Sequence, residues 1–166
     1  PKADDAFNYG AIGSVIGHEI SHSFDNNGAQ FDSTGAMRDW WTAADKAKFE
    51  QAGKALADQF DQYEPFPGLH VKGKLTLSEN IADVAGLEAA YDAYHASLGG
   101  KPAPVIDGLT GDQRFFLAYA QAWATKSRPE ALRQIVLNNG HAPEQFRAAT
   151  VRNIDAWYPT FNVQPG

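Results

Sequence analysis

His18, Glu19 and His22 stand in the order His18-Glu19-Ile20-Ser21-His22, an H-E-x-x-H pattern. On an α-helix, residues four apart lie one above the other on the same face. Both imidazoles can then meet one metal ion, with Glu19 beside it. This set suits Zn²⁺ held by two histidines and a carboxylate that takes a proton from the attacking water. A catalytic zinc site needs three protein ligands, and His₂Glu is one established combination. The chain has no cysteine, so thiolate ligands are excluded and histidines and carboxylates remain. Leu77-Ser78-Glu79-Asn80-Ile81-Ala82-Asp83 offers Glu79 and Asp83 one helical turn apart. Glu79 as third ligand, with Asp83 orienting a histidine ring, would complete the site. The alternative is a helix with two hydrogen-bonded histidines and a surface glutamate.

The elements that position these residues follow from periodicity and breakers. Residues 1–7 read as an extended lead-in and Asn8-Tyr9-Gly10 as a turn, with the first helix over residues 11–24. That helix is poor in propensity, since Gly13 and Gly17 each cost roughly 0.5–1 kcal/mol relative to alanine. It therefore needs tertiary packing, and is expected to be a buried central helix whose small residues admit other backbones. Polar groups buried there require a partner, and a metal serves. Residues 25–39 read as a loop with a short hairpin, and residues 42–60 as a helix opened by Thr42 with Asp45. A loop with a short strand near His70 and Val71 comes next. A helix over residues 77–98 carries Glu79 and Asp83. Residues 112–126 form a further helix, apolar nearly all round over residues 115–123 and so expected to be buried. Pro129 opens a helix to Leu137 and Pro143 another to Ile154, and residues 157–166 read as a tail.

Composition bounds the function. With 166 residues, 43% hydrophobic and 20% charged, the chain reads as one soluble, mainly α-helical unit with a real core. A net charge of −6 without a basic cluster argues against nucleic-acid binding. No apolar run approaches a membrane span. The start at Pro1 without Met is expected of a processed product or an excised segment.

Residues 8–25 together with Glu79-Asn80-Ile81-Ala82-Asp83 resemble the neprilysin-like zinc metallopeptidases, the M13 family. The similarity extends through Asp39-Trp40-Trp41, residues 115–123, and Gly140-His141-Ala142-Pro143-Glu144-Gln145-Phe146-Arg147. The resemblance implies a mainly α, zincin (thermolysin-like) catalytic helical subdomain with the H-E-x-x-H motif on one helix and the third ligand on a second. It implies one Zn²⁺ on His18, His22 and Glu79, with Glu19 as general base. Asp83 matches the carboxylate that orients His18, and Asp25 is expected to do the same for His22. His141 matches a histidine that stabilises the tetrahedral intermediate, and Arg147 an arginine that holds the backbone carbonyl of the bound peptide. Ser14, Val15, Ala122 and Trp123 match the lining of the pocket for the residue after the cleaved bond. Without the resemblance, His141 reads as a loop histidine and Arg147 as a solvated charge. His70 and His95 read as surface residues.

Family members run to several hundred residues. Residues 1–166 thus correspond to a C-terminal catalytic portion, and the substrate-pairing edge strand and enclosing N-terminal lobe are expected upstream, as a partner of this segment. The implied activity is cleavage of oligopeptides on the amino side of hydrophobic residues, with no nucleic-acid partner and no transmembrane segment. A chain without cysteine favours a bacterial relative, secreted or periplasmic, with a cytoplasmic one as the alternative. The rival readings are a His₂Glu peptidase of another, thermolysin-like family and a non-catalytic zinc-binding fragment.

Overall fold

Asp4 opens the first helix, its side chain accepting a hydrogen bond from Phe7 N–H at 2.8 Å. In the computed structural model, which describes residues 3–164, the backbone then stays helical from Asp5 to Ser21. Pro1, Lys2, Pro165 and Gly166, the ends of the expected lead-in and tail, lie outside the described residues. The run comprises α1 (Asp5–Asn8), a π-helical segment (Tyr9–Gly13) and α2 (Ser14–Ser21). The expected turn at Asn8-Tyr9-Gly10 is therefore helix, and the helix ends before Phe24. Packing overrides propensity: any side chain at Gly10 would collide with the Phe115 backbone. The wide π turn also loosens carbonyls, and Ser14 Oγ donates to Gly10 O (2.9 Å) and Ala11 O (2.8 Å).

Six further α-helices follow among the described residues: α3 (Ala43–Asp61), α4 (Leu77–Ser97), α5 (Gly111–Ala122), α6 (Pro129–Asn138), α7 (Glu144–Ala148) and α8 (Trp157–Phe161). Thr42 caps α3 by accepting from Asp45 N–H, as its spacing predicts. A capping box between Thr110 and Gln113 starts α5. The helix expected from Pro143 to Ile154 divides into α7 and a 3₁₀ segment (Ala149–Asn153), and the expected tail contains α8. The described residues contain no strand, so the one expected near His70 and Val71 is absent. Val71 is instead buried, its N–H bonded to Tyr63 O at 2.9 Å. The hairpin expected in residues 25–39 amounts to one antiparallel bridge, Phe31 to Met37.

The core gathers Leu87, Ala90 and Tyr94 of α4, Phe115, Phe116 and Tyr119 of α5, Ala6 and Ile154. On α5, Phe115, Phe116, Ala118 and Tyr119 are buried, whereas Leu117, Ala120 and Ala122 are exposed, so its all-round apolar sequence is used on one face only. The same correction applies to α2 and the π segment before it. Ser14 and His18 are buried, but Ile12, Ile16 and Ile20 are 58%, 55% and 63% exposed. The helix is central on one side and bare on the other.

The spacing of α2 and α4 rests on two glycines. A Cβ at Gly17 would press into Gly86 O, and one at Gly86 into the backbone of Gly17 and His18. Gly86→Ala should therefore force the helices apart and destabilise by about 1–3 kcal/mol, read by denaturant unfolding. Gly53→Ala on α3 is the control: its Cβ would meet only the Leu77 side chain, at 3.7 Å. There the alanine should be neutral or stabilising by up to about 1 kcal/mol.

Candidate metal centre

The close packing of α2 on α4 brings the C-terminal turn of one helix against the N-terminal turn of the other. His18 lies in the last turn of α2 and Glu79 in the first turn of α4. A carboxylate is favoured at a helix N-terminus and a cation near a C-terminus, each by about 0.3–1 kcal/mol. His18, His22 and Glu79 offer ligand atoms that all lie within 4.8 Å of one another, the only such group of three among the described residues. His18 Nε2 and His22 Nε2 are 3.1 Å apart, and Glu79 Oε2 lies 3.2 Å from the first and 3.7 Å from the second.

The opposite edges of both rings face carboxylates. Asp25 Oδ2 is 2.7 Å from His22 Nδ1, and Asp83 Oδ1 is 2.8 Å from His18 Nδ1. An ionised carboxylate only accepts, so the proton belongs on Nδ1 and the Nε2 lone pairs turn inward. Two lone pairs and a carboxylate oxygen at this separation repel unless a cation lies among them. Glu79 Oε2 is moreover buried and makes no well-aligned hydrogen bond. This donor set fits a zinc ion.

Asp25 is held by four donors. Burial works against its ionised form, yet hydrogen bonds from Ser78, His22 and the backbone N–H groups of Gly28 and Asn27 outweigh it and lower its pKa. Ser78 Oγ donates across from α4 at 2.5 Å, tying the two ligand helices together through one carboxylate. Nothing in the sequence around Ser78 signalled this. Asp83 is likewise buried and still held below the usual carboxylate range, by Arg147 and His18. Arg147 donates from Nε at 2.8 Å and Nη2 at 2.7 Å, a bidentate pair. Burial would lower the pKa of His18, but the hydrogen bond and charge of Asp83 reverse this and raise it.

A cavity of about 210 Å³ opens beside the three ligand atoms. It is lined by Glu19, His141, Arg147, Val15, Trp123 and Tyr119, with Ser14, His18 and Asp83. Ala122 is exposed and outside this lining, unlike its neighbour Trp123. His141 reaches the site from the loop between α6 and α7, with Nε2 3.0 Å from Glu79 Oε2. Arg147 is buried rather than solvated, its guanidinium 4.0 Å from the Trp123 ring centre. Tyr119, which the sequence reading passed over, donates from its hydroxyl to Arg147 O at 3.0 Å and anchors α7 to α5. His70 and His95 are exposed and remote, His95 pairing with Asp112 at 2.9 Å.

Removing Asp83 should strand the Arg147 charge. Asp83→Ala is expected to destabilise by about 3–5 kcal/mol in denaturant unfolding, while Asp83→Ala with Arg147→Met should recover part of that loss. Equal losses in both variants would show that the pair carries no such strain.

The sequence model of peptidase family M13 matches residues 1–166. Neprilysin-1 of Caenorhabditis elegans is 43% identical over 152 residues, covering 88% of this chain and 20% of that protein. Endothelin-converting enzyme 1 of Bos taurus is 36% identical, covering 99% of this chain and 22% of that protein. The crystal structure of the Mycobacterium tuberculosis zinc metalloprotease Zmp1 with an inhibitor superposes with a TM-score of 0.94 at 50% identity, over 99% of this chain and 26% of that one. PepO of Lactobacillus rhamnosis superposes with a TM-score of 0.82 at 48% identity, over 99% of this chain and 25% of that one. The chain thus spans about a fifth of these curated relatives and a quarter of the solved ones. The mainly helical fold is that of M13 zincin catalytic domains, and a His₂Glu peptidase of another family is set aside. The chain belongs to peptidase family M13.

Proposed function

We propose that this chain is the C-terminal catalytic portion of a zinc metalloendopeptidase that cleaves oligopeptides on the amino side of hydrophobic residues. One observation carries the reading: three ligand atoms of His18, His22 and Glu79 meet within 4.8 Å, beside a cavity lined by Glu19, His141 and Arg147. One zinc ion per chain is held by those three ligands. Bound there, the ion supplies a Lewis acid for the scissile carbonyl and lowers the pKa of a coordinated water to about 7.

The chain's own residues do the rest. Glu19, exposed at the mouth of the cavity, takes a proton from the attacking water and returns it to the leaving amine. His141 donates to the oxygen that gains charge in the tetrahedral intermediate. Arg147 uses Nη1, its nitrogen not bonded to Asp83, for the backbone carbonyl of the bound peptide. Val15 and Trp123, with Ser14, form the wall for the side chain after the cleaved bond. Asp83 and Asp25 hold the two ligand rings.

A cavity of about 210 Å³ takes one side chain, not a peptide. The remaining cleft is the contribution of further polypeptide of the same protein, and the bare Ile12, Ile16 and Ile20 beside Glu19 give it an apolar surface to cover. No described helix is long and apolar enough to cross a membrane. Separately, we assign the enzyme to the secreted or periplasmic space of a bacterium, with a cytoplasmic relative as the alternative.

Metal analysis after dialysis should find one zinc per chain, lost in His18→Ala. Glu19→Gln should keep the zinc and lose at least about 10²-fold in peptide hydrolysis; retained activity would remove Glu19 as the base. The isolated chain should hydrolyse a peptide with an internal hydrophobic residue about 10²-fold more slowly than the polypeptide with its remaining cleft. Equal turnover would leave the non-catalytic remainder without a part in the cleft, and no zinc at all would favour a structural fragment.

A further inference from the structure

Ser78 stands in the first turn of α4, directly before the ligand Glu79. A serine hydroxyl at a helix start commonly bonds its own backbone. This one instead donates across to Asp25 Oδ2 at 2.5 Å. The same oxygen accepts the Nδ1 proton of His22 at 2.7 Å. The other oxygen, Oδ1, accepts the backbone N–H groups of Asn27 at 2.7 Å and Gly28 at 2.8 Å. An ionised carboxylate accepts about four hydrogen bonds, and Asp25 has all of them filled.

The two ligand histidines are held unequally. His18 lies within α2 with its side chain 10% exposed, and Arg147 of α7 fixes its partner Asp83 with two hydrogen bonds. His22 follows the last residue of α2, and its side chain is 30% exposed. A ring so placed keeps rotamer freedom unless something outside its own segment restrains it. Asn27 and Gly28 belong to the same loop as Asp25 and move with it. Among the described residues, the Ser78 contact is the one hydrogen bond that joins residues 23–31 to anything beyond Trp41. Because Ser78 adjoins Glu79 on α4, this contact also governs the spacing of two ligands, His22 Nε2 and Glu79 Oε2, which are 3.7 Å apart.

We propose that Ser78 is a positioning residue for the metal: through Asp25 it fixes the His22 ring relative to Glu79 and so slows the loss of zinc. This rests on His22 and Glu79 acting as ligands. A purely structural role for the hydroxyl would cost stability with or without metal and leave zinc affinity unchanged.

The test uses the enzyme with its full polypeptide and measures zinc affinity by competition with a chelator, alongside unfolding of the metal-free form. Ser78→Ala should bind zinc about 10-fold more weakly and release it faster. Ser78→Gly, which also lacks the hydroxyl, should match it. Asp25→Ala should lose about 10–100-fold in affinity, and adding Ser78→Ala to it should cost nothing further, because the serine acts through the carboxylate. Unchanged zinc affinity in Ser78→Ala, or losses that multiply in the double variant, would overturn the proposal while leaving the ligand set intact. The affinity of Ser78→Ala decides the matter by itself if Asp25→Ala does not fold. A parent enzyme that binds no zinc would remove the underlying reading and this inference together.

Discussion

The site depends on how closely α2 and α4 approach. Gly17 and Gly86 face each other with no room for a side chain, and the backbones meet there. That contact places the last turn of α2 against the first turn of α4, where His18 and Glu79 lie. A wider spacing would leave two histidines on one helix and two acids on another, with no common point. The glycines that make α2 a weak isolated helix are thus what make it a ligand helix. Buried packing supplies the helicity that propensity does not.

Around that contact the charges are arranged in two shells that compensate each other. Asp25 and Asp83 are both buried and both ionised, each held by hydrogen bonds rather than by solvent. Asp83 has the bidentate Arg147, and Asp25 has Ser78 and two backbone N–H groups. Each turns an Nδ1 outward and so directs an Nε2 inward. Glu79 Oε2 is the exception, buried without an aligned partner while nitrogens of His18, His22 and His141 converge on it. Desolvated charge without a partner is costly, and a divalent cation resolves it.

The surface left bare is as informative as the core. Ile12, Ile16 and Ile20 form an apolar stripe one side of which borders Glu19, and Leu117 is similarly uncovered on α5. Each sits on a helix whose other face is fully packed. The chain spans a fifth to a quarter of its relatives, and these faces are the surface that the proposed reading gives to further polypeptide of a larger cleft.

His18, Glu19 and His22 needed only a helix to be brought together, and a spacing of four residues ensures that. Glu79 and Asp83 were legible for the same reason, as were the cap at Thr42 and the helix start at Pro129, because these features are local. The sequence by itself therefore determined the candidate ligand set, whose donor atoms the fold brings within 4.8 Å of one another, and that the chain is mainly helical. It did not determine the continuous helix through Tyr9–Gly13, where packing on α5 overrides a turn-like composition. Nor did it reveal Ser78 or Tyr119, whose contacts join residues through folded geometry rather than spacing. His141 and Arg147 were visible only by resemblance, since a loop histidine and a helix arginine carry no periodicity that points inward. Which face of α2 is buried was likewise a tertiary decision: glycine and isoleucine are both compatible with an interior, and only the neighbouring backbones select between them.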